Sequence, residues 1–167
     1  MKLFSANIED LRSLYIDNLQ KALDMEQKIT KALPTMVEKS TDSELSSAFN
    51  SHLEETRGHV SKVETLLRKA TGDASTTTCK VIGSLTTEAE DNIKDAADPG
   101  IRDISLIASA QQVEHHEIAV YGTLRTWAEI LGLGEDATVL ESILKEEEAA
   151  DKKLTQIAEH VNYQKAA

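Results

Sequence analysis

Four stretches of this sequence place carboxylates and imidazoles where a helix is expected to turn its apolar face. The run Tyr15, Leu19, Ala22, Ile29 and Leu33, spaced by three, four and seven, passes through Glu26. His52, Glu55 and His59 lie beside Phe49, Leu53, Val60 and Val63, and Glu55 and His59 are four apart, hence on one helical face. Glu114 and Glu117 continue the series Ile107, Ala110, Tyr121 and Leu124, while Glu147 and Asp151 continue Leu140, Leu144, Leu154 and Ala158. A lone Glu at a nominal core position ordinarily sits at the stripe's edge and reaches water. Four such placements, each near the middle of its own segment, instead predict one acidic layer.

Six carboxylates in such a layer without compensation would cost several kcal/mol per ion in desolvation, besides their mutual repulsion. No Lys or Arg occupies the matching positions, so the expected counter-charge is metal. Oxygen-rich donors with an imidazole suit iron, or else manganese, better than a structural zinc site built from Cys or several His. Two divalent ions set +4 against the -6 of these carboxylates, which favours a dinuclear centre, with Glu114 and Glu117 bridging or capping the two ions.

The elements that must hold this layer are helices. Seven Gly, two Pro and 4% aromatics leave a chain dominated by good helix formers. The periodicity predicts a first helix from about Asn7 into the Pro34 region, where proline kinks or ends it. Thr41-Asp42-Ser43-Glu44 carries capping chemistry for a second helix that stops near Gly72. After the polar run from Asp73 to Thr78, a short amphipathic helix around Val81, Ile82, Leu85, Ala89 and Ile93 ends at Asp98-Pro99-Gly100. A third long helix closes at Gly132-Leu133-Gly134, and a fourth begins near Glu135 or Asp136. Two hairpins joined by one long connection predict an all-α, ferritin-like antiparallel four-helix bundle with a long crossover containing an extra short helix. One domain over 1–167 accounts for the length. Glu26 recurs as Glu117 at an offset of 91, and Glu55 and His59 recur as Glu147 and Asp151 at an offset of 92, as a duplicated hairpin would produce.

With 29 acidic and 18 basic residues, the formal charge is -11, and no basic cluster interrupts it. Nucleic acid and anionic membranes are therefore not expected partners. The opening Met1-Lys2-Leu3-Phe4-Ser5-Ala6 lacks the apolar core of a signal peptide and Cys79 has no partner for a disulfide, which points to a cytoplasmic protein.

The segments His52-Leu53-Glu54-Glu55-Thr56-Arg57-Gly58-His59-Val60, Val113-Glu114-His115-His116-Glu117-Ile118-Ala119-Val120-Tyr121-Gly122-Thr123 and Glu146-Glu147-Glu148-Ala149-Ala150-Asp151-Lys152-Lys153-Leu154 resemble the YciF-like family of bacterial ferritin-like stress proteins. Ala32-Leu33-Pro34 and Thr78-Cys79-Lys80 extend the resemblance over nearly the whole chain. It implies a dimetal centre, a homodimer and a part in stress responses, with Glu26, Glu55, His59, Glu114, Glu117, Glu147 and Asp151 as ligands. One spacing departs from the ferritin-like pattern: the usual Glu-x-x-His becomes Glu55-x-x-x-His59, and Asp151 stands where a second His or Glu is expected.

The expected function is that of a dinuclear metal carboxylate protein reacting with peroxide or dioxygen. A ferroxidase in iron handling is the alternative within the same fold, and a metal-free helical interaction protein is the alternative from another class. His52 reads equally as a residue orienting a ligand and as a plain core histidine. Tyr15 reads as a core aromatic, Tyr121 first as a core aromatic and otherwise as a hydrogen-bond partner of a ligand or a radical-quenching side chain, Trp127 as packing or a subunit contact, and His160 as a partner of the last helix's dipole. His115 and His116 flank the ligand stripe, with at least one expected to face solvent or the crossover, and Cys79 reads as an inert thiol.

Overall fold

The computed structural model describes residues 8–166, the last three by their backbone only. Met1–Ala6 and the expected helix start at Asn7 lie outside the described residues. Helix α1 spans Leu11–Lys39. Its start is set by a reciprocal capping box: the Asp10 carboxylate accepts from Ser13 N at 2.7 Å, and the Ser13 hydroxyl accepts from Asp10 N at 3.1 Å. The helix continues through Pro34 to Lys39 rather than ending there. Pro34 is exposed and removes only the amide that would have reached the Thr30 carbonyl.

Helix α2, Ser43–Thr71, is capped by Asp42, whose Oδ1 accepts from Glu44 N and Leu45 N at 2.9 Å each. It ends on Gly72, whose φ of 90° is the left-handed conformation that glycine adopts without penalty. The crossover carries α3, Lys80–Asp95, and then α4 runs Pro99–Ile130 with Asp98 as its cap and Pro99 in its first turn. Gly132, at φ 73°, closes α4, and Leu133 N donates back to the Ala128 carbonyl at 2.9 Å before α5, Gly134–Ala166, begins.

Helix α1 packs on α2 and α4 on α5, and these hairpins dock through α1 against α4 and α2 against α5. This is the ferritin-like bundle expected from the connectivity. Tyr15, Leu19, Leu23, Leu45, Leu67, Leu124, Leu140 and Ile143 are fully buried in its core. Helix α3 lies outside the bundle against α1 and α4. The crossover is moored to α1: Asp24 Oδ2 accepts from Cys79 N at 2.8 Å, Lys28 Nζ donates to the Cys79 carbonyl at 3.1 Å, and Thr77 N donates to the Gln20 carbonyl at 3.3 Å.

A second mooring closes the opposite end. Asp103 on α4 is buried and accepts from Thr41 N at 2.9 Å, Thr41 Oγ1 at 2.5 Å and Asp42 N at 2.9 Å, fixing the α1–α2 turn against the second hairpin. Asp103→Ala strands these donors, and each stranded group costs about 1–3 kcal/mol. The variant is expected to unfold about 5–10 °C below the wild type in a thermal melt followed by circular dichroism. An unchanged midpoint would show that the turn holds without it.

Candidate metal centre

The apolar stripes of the four long helices alternate by three and four, so each helix presents one or two donors at mid-height. On α4 the buried series 107, 110, 114, 117, 121, 124 and 128 is unbroken, which drives both Glu114 and Glu117 inward. Glu26 from α1, His59 from α2, Glu117 from α4 and Glu147 from α5 are completely buried, and Glu114 is 3% exposed. His52 on α2, seven residues before His59 and so on the same face, joins them.

The donors fall into two groups that share one member. His52, Glu114, Glu117 and Glu147 each bring an atom within 4.8 Å of the others, and Glu26, His59 and Glu147 do the same. In the first group, His52 Nε2 lies 3.3 Å from Glu114 Oε1 and 3.9 Å from Glu147 Oε2. In the second, His59 Nδ1 lies 2.9 Å from Glu147 Oε1 and 3.7 Å from Glu26 Oε2, in neither case in hydrogen-bonding alignment.

The layer is short of partners. Glu26 Oε2, both nitrogens of His52, His59 Nδ1, Glu114 Oε2 and all four oxygens of Glu117 and Glu147 are buried without a hydrogen bond. Buried polar atoms are normally satisfied, so such a concentration of orphaned donors in one layer marks a place for a ligand. Carboxylates and imidazoles without thiolates form a donor set for iron or manganese. The residues fit two divalent ions, with Glu147 as the shared member, Glu26 and His59 on one side and His52, Glu114 and Glu117 on the other. Four carboxylates against two divalent ions would also balance in charge.

Protons supply the compensation when metal does not. Burial pushes the Glu117 carboxyl well above its ordinary value, and Glu147, Glu26 and Glu114 add to the effect. Burial likewise raises Glu26, against the pull of His59, and raises Glu114 to about 8, against the pull of His52. Burial alone would lower both imidazoles, but the surrounding carboxylates outweigh it, holding His52 at about 9 and His59 at about 10.

Two further side chains orient the layer. The Tyr121 hydroxyl donates to Glu26 Oε1 through a short bond, which fixes that carboxylate and leaves Oε2 facing His59. Tyr121 is thus a positioning residue as well as the core aromatic expected. On the outer side, His59 Nε2 pairs with Glu146 Oε2 at 2.6 Å, and Lys62 Nζ donates to Glu146 at 3.0 and 3.1 Å. This carboxylate pairing turns Nδ1 of His59 toward the layer, the arrangement that orients metal-binding histidines. Glu146 was not singled out in the sequence because it lies off the stripe; its signal was only its adjacency to Glu147.

Two expected members sit at the edge of the layer. Glu55 is 48% exposed, with Oε2 3.6 Å from His52 Nδ1, at the mouth of a cavity of about 610 Å³ between α2 and α5. It lies about 60° around the helix from His52, just past the edge of the stripe that Thr56 centres. Asp151 is 21% exposed at the other edge, 3.3 Å from His115 Nδ1, yet its Oδ1 is buried without a hydrogen bond and its charge adds to the rise of Glu114, so it borders the layer. The inward place expected for Glu55 is taken by His52, which the sequence left open between an orienting and a core role.

Outside the layer, Cys79 Sγ lies 3.7 Å from His116 Nε2, a neighbour the linear sequence did not show. His160, expected at the helix dipole, lies 3.4 Å from Asp42 Oδ2 on α2. Tyr15 is buried as expected, and its hydroxyl donates to Asp136 Oδ2 at 3.3 Å.

Residues 10–167 match a family profile described as a domain of unknown function, DUF892. The chain is 36% identical over 153 residues to the protein YciF of Escherichia coli strain K12, covering 91% of this chain and 92% of that protein. The crystal structure of the E. coli stress protein YciF superposes with a TM-score of 0.89 at 35% identity, over 94% of this chain and 99% of that one. A structure of YcfI from Rhodopseudomonas palustris gives 0.88 at 39% identity, over 92% of this chain and 98% of that one. A protein from Xanthomonas campestris, with a TM-score of 0.74 at 22% identity over 92% of this chain and 94% of that one, shares the fold.

Proposed function

The chain belongs to the DUF892 family, and we propose that it is a dinuclear metal carboxylate protein, iron being the first choice and manganese the second, that reacts with peroxide or dioxygen under stress. The observation that supports this most is the layer of orphaned donors shared by all four long helices. Ions held there would supply reversible electron transfer to a small oxidant. Ferroxidase chemistry in iron handling would use the same layer, whereas a metal-free interaction protein would leave the orphaned donors without a purpose.

The chain's own residues do the rest. Tyr121 holds Glu26 in place, and Glu146 holds His59. His59 spans the layer and the surface, since Nδ1 faces Glu147 and Nε2 faces the half-exposed Glu146. It therefore provides a route by which a proton leaves the layer for solvent. The leucines and tyrosines above and below exclude water, which strengthens every charge interaction within.

Among the described residues no helix is long and apolar enough to cross a membrane. The absence of nucleic-acid contacts belongs to this reading and is supported by the net charge of -11, and so does a cytoplasmic location, supported by the single Cys79, which leaves no disulfide within the chain. So does a homodimer, which sedimentation would show as a two-chain species.

Metal analysis and a peroxide assay test the reading together. Protein loaded with iron(II) or manganese(II) is expected to retain about two ions per chain and to consume hydrogen peroxide, and Glu117→Ala to lose most of its metal. Equal metal content in the wild type and the Glu117 variant would remove the site.

Loading should also acidify the medium. His52 at about 9, His59 at about 10 and Glu114 at about 8 hold protons at neutral pH that a cation must displace. Calorimetric titrations in buffers of different ionisation enthalpy are expected to show release of at least two protons per chain. No dependence on the buffer would mean that the layer is not where metal binds.

A further inference from the structure

Glu146, on the solvent side of the layer, is shared between two donors of α2. Its Oε2 lies 2.6 Å from His59 Nε2 and also accepts from Lys62 Nζ at 3.0 Å, while its Oε1 accepts from the same ammonium at 3.1 Å. The lysine and the histidine thus meet on one oxygen. Lys62 is one residue short of a helical turn after His59, and the three side chains grade from the surface inward: Glu146 is 39% exposed, Lys62 33% and His59 0%. An exposed ion pair contributes little to stability. This one ends on an imidazole whose other nitrogen faces Glu26 and Glu147. His52, the other imidazole, has no hydrogen-bonded carboxylate behind it, since its Nδ1 lies 3.6 Å from Glu55 Oε2 without a bond.

We infer that Lys62 sets how strongly His59 donates to an ion between Glu26, His59 and Glu147, acting through Glu146. The inference rests on the dinuclear reading and adds to it the residue that tunes one of its two positions. With Nδ1 turned to the layer, Nε2 carries the proton, and a carboxylate that accepts this outer N–H strengthens the inner nitrogen as a donor. An ammonium on the same oxygen draws charge away from that bond and weakens the effect. Its own positive charge also disfavours the more highly charged, oxidised ion. The two contributions have one sign: Lys62 favours the reduced ion, and its loss favours the oxidised one. Lys62 is a positioning residue, for it touches Glu146 and Glu146 touches His59.

The test is a redox titration of the full-length protein loaded with iron(II), the oxidised fraction being read spectroscopically. Lys62→Met is expected to raise the ratio of oxidised to reduced iron at a fixed potential about tenfold, a downward shift of about 59 mV for a one-electron couple. Lys62→Arg keeps the charge and is expected to stay near the wild type. Glu146→Gln is expected to move the potential upward, and Lys62→Met added to it to shift the potential by less than Lys62→Met does alone. A lysine that only tied α2 to α5 would change the melting temperature and leave the potential where it was. Equal potentials in the wild type and a folded Lys62→Met variant, both holding iron, overturn the inference and leave the proposed function standing. So does an undiminished effect of Lys62→Met in the Glu146→Gln background. A wild type that retains no iron removes the proposed function and the role of Lys62 with it.

Discussion

Replacing Glu147 by glutamine is expected to strip metal from the protein. Glu147 is the one donor common to both groups, so its loss weakens both ion positions, whereas loss of Glu26 or Glu114 weakens one. Metal content after dialysis is expected to fall from about two ions per chain to a small fraction of one, since disturbing even an orienting neighbour of a ligand lowers affinity about 10–100-fold. A variant that kept its metal would show that Glu147 is not shared.

The second large effect is in pH. Glu26, Glu114, Glu117, His52 and His59 all bind protons more tightly in the folded protein than in the unfolded chain. The folded state therefore carries the greater number of protons, and metal-free stability must fall as pH rises. For Glu114 the loss begins near the ordinary 4.5 and ends near 8; for the histidines it begins near 6.5 and ends at about 9 for His52 and about 10 for His59. Asp10, Asp42, Asp73 and Glu146 are shifted downward and are ionised in both states above about pH 5.5, so they add no slope there, while His116, lowered by burial, opposes the trend near its ordinary 6.5 and is outweighed by the five raised groups. The melting temperature of chelated protein is expected to drop by on the order of 10 °C between about pH 5.5 and about pH 9. With excess iron(II) or manganese(II) the trend reverses, because ligands must be deprotonated to bind and affinity grows with pH. Differential scanning calorimetry with and without metal reads both trends. Parallel curves would refute the linkage between the layer and the ions.

Sequence alone carried the fold because its determinants are local. Asp42 and Gly72 bound α2 where the capping and turn residues said they would, and Pro99 and Gly132 do the same for α4. Pro34 misled because an exposed proline costs a long helix one hydrogen bond without reversing the packing that holds it. Within the layer, the positions read from strict three-and-four spacing, Glu26, His59, Glu114, Glu117 and Glu147, come together. Glu55 was read from its spacing to His59, but a helical face is wider than the buried stripe, and about 60° separates the stripe from water. His52 had the position of a core residue and the chemistry of a donor, and only tertiary packing could show which nitrogens lack partners. Glu146 and the contact of Tyr121 with Glu26 depend on how the hairpins dock, which no local pattern encodes.

That docking has a kinetic consequence. Each hairpin can form from contacts near in sequence, but the donors of each group come from both hairpins: Glu26 and His59 meet Glu147, and His52 meets Glu114, Glu117 and Glu147. The full donor set therefore does not exist until the hairpins close on each other, and closure is the step that brings like charges together. A cation that binds the finished layer is absent from the transition state, so it leaves the folding rate nearly unchanged and slows unfolding. The half-life of the native state, more than the speed of its formation, would then record whether the cell has metal to give.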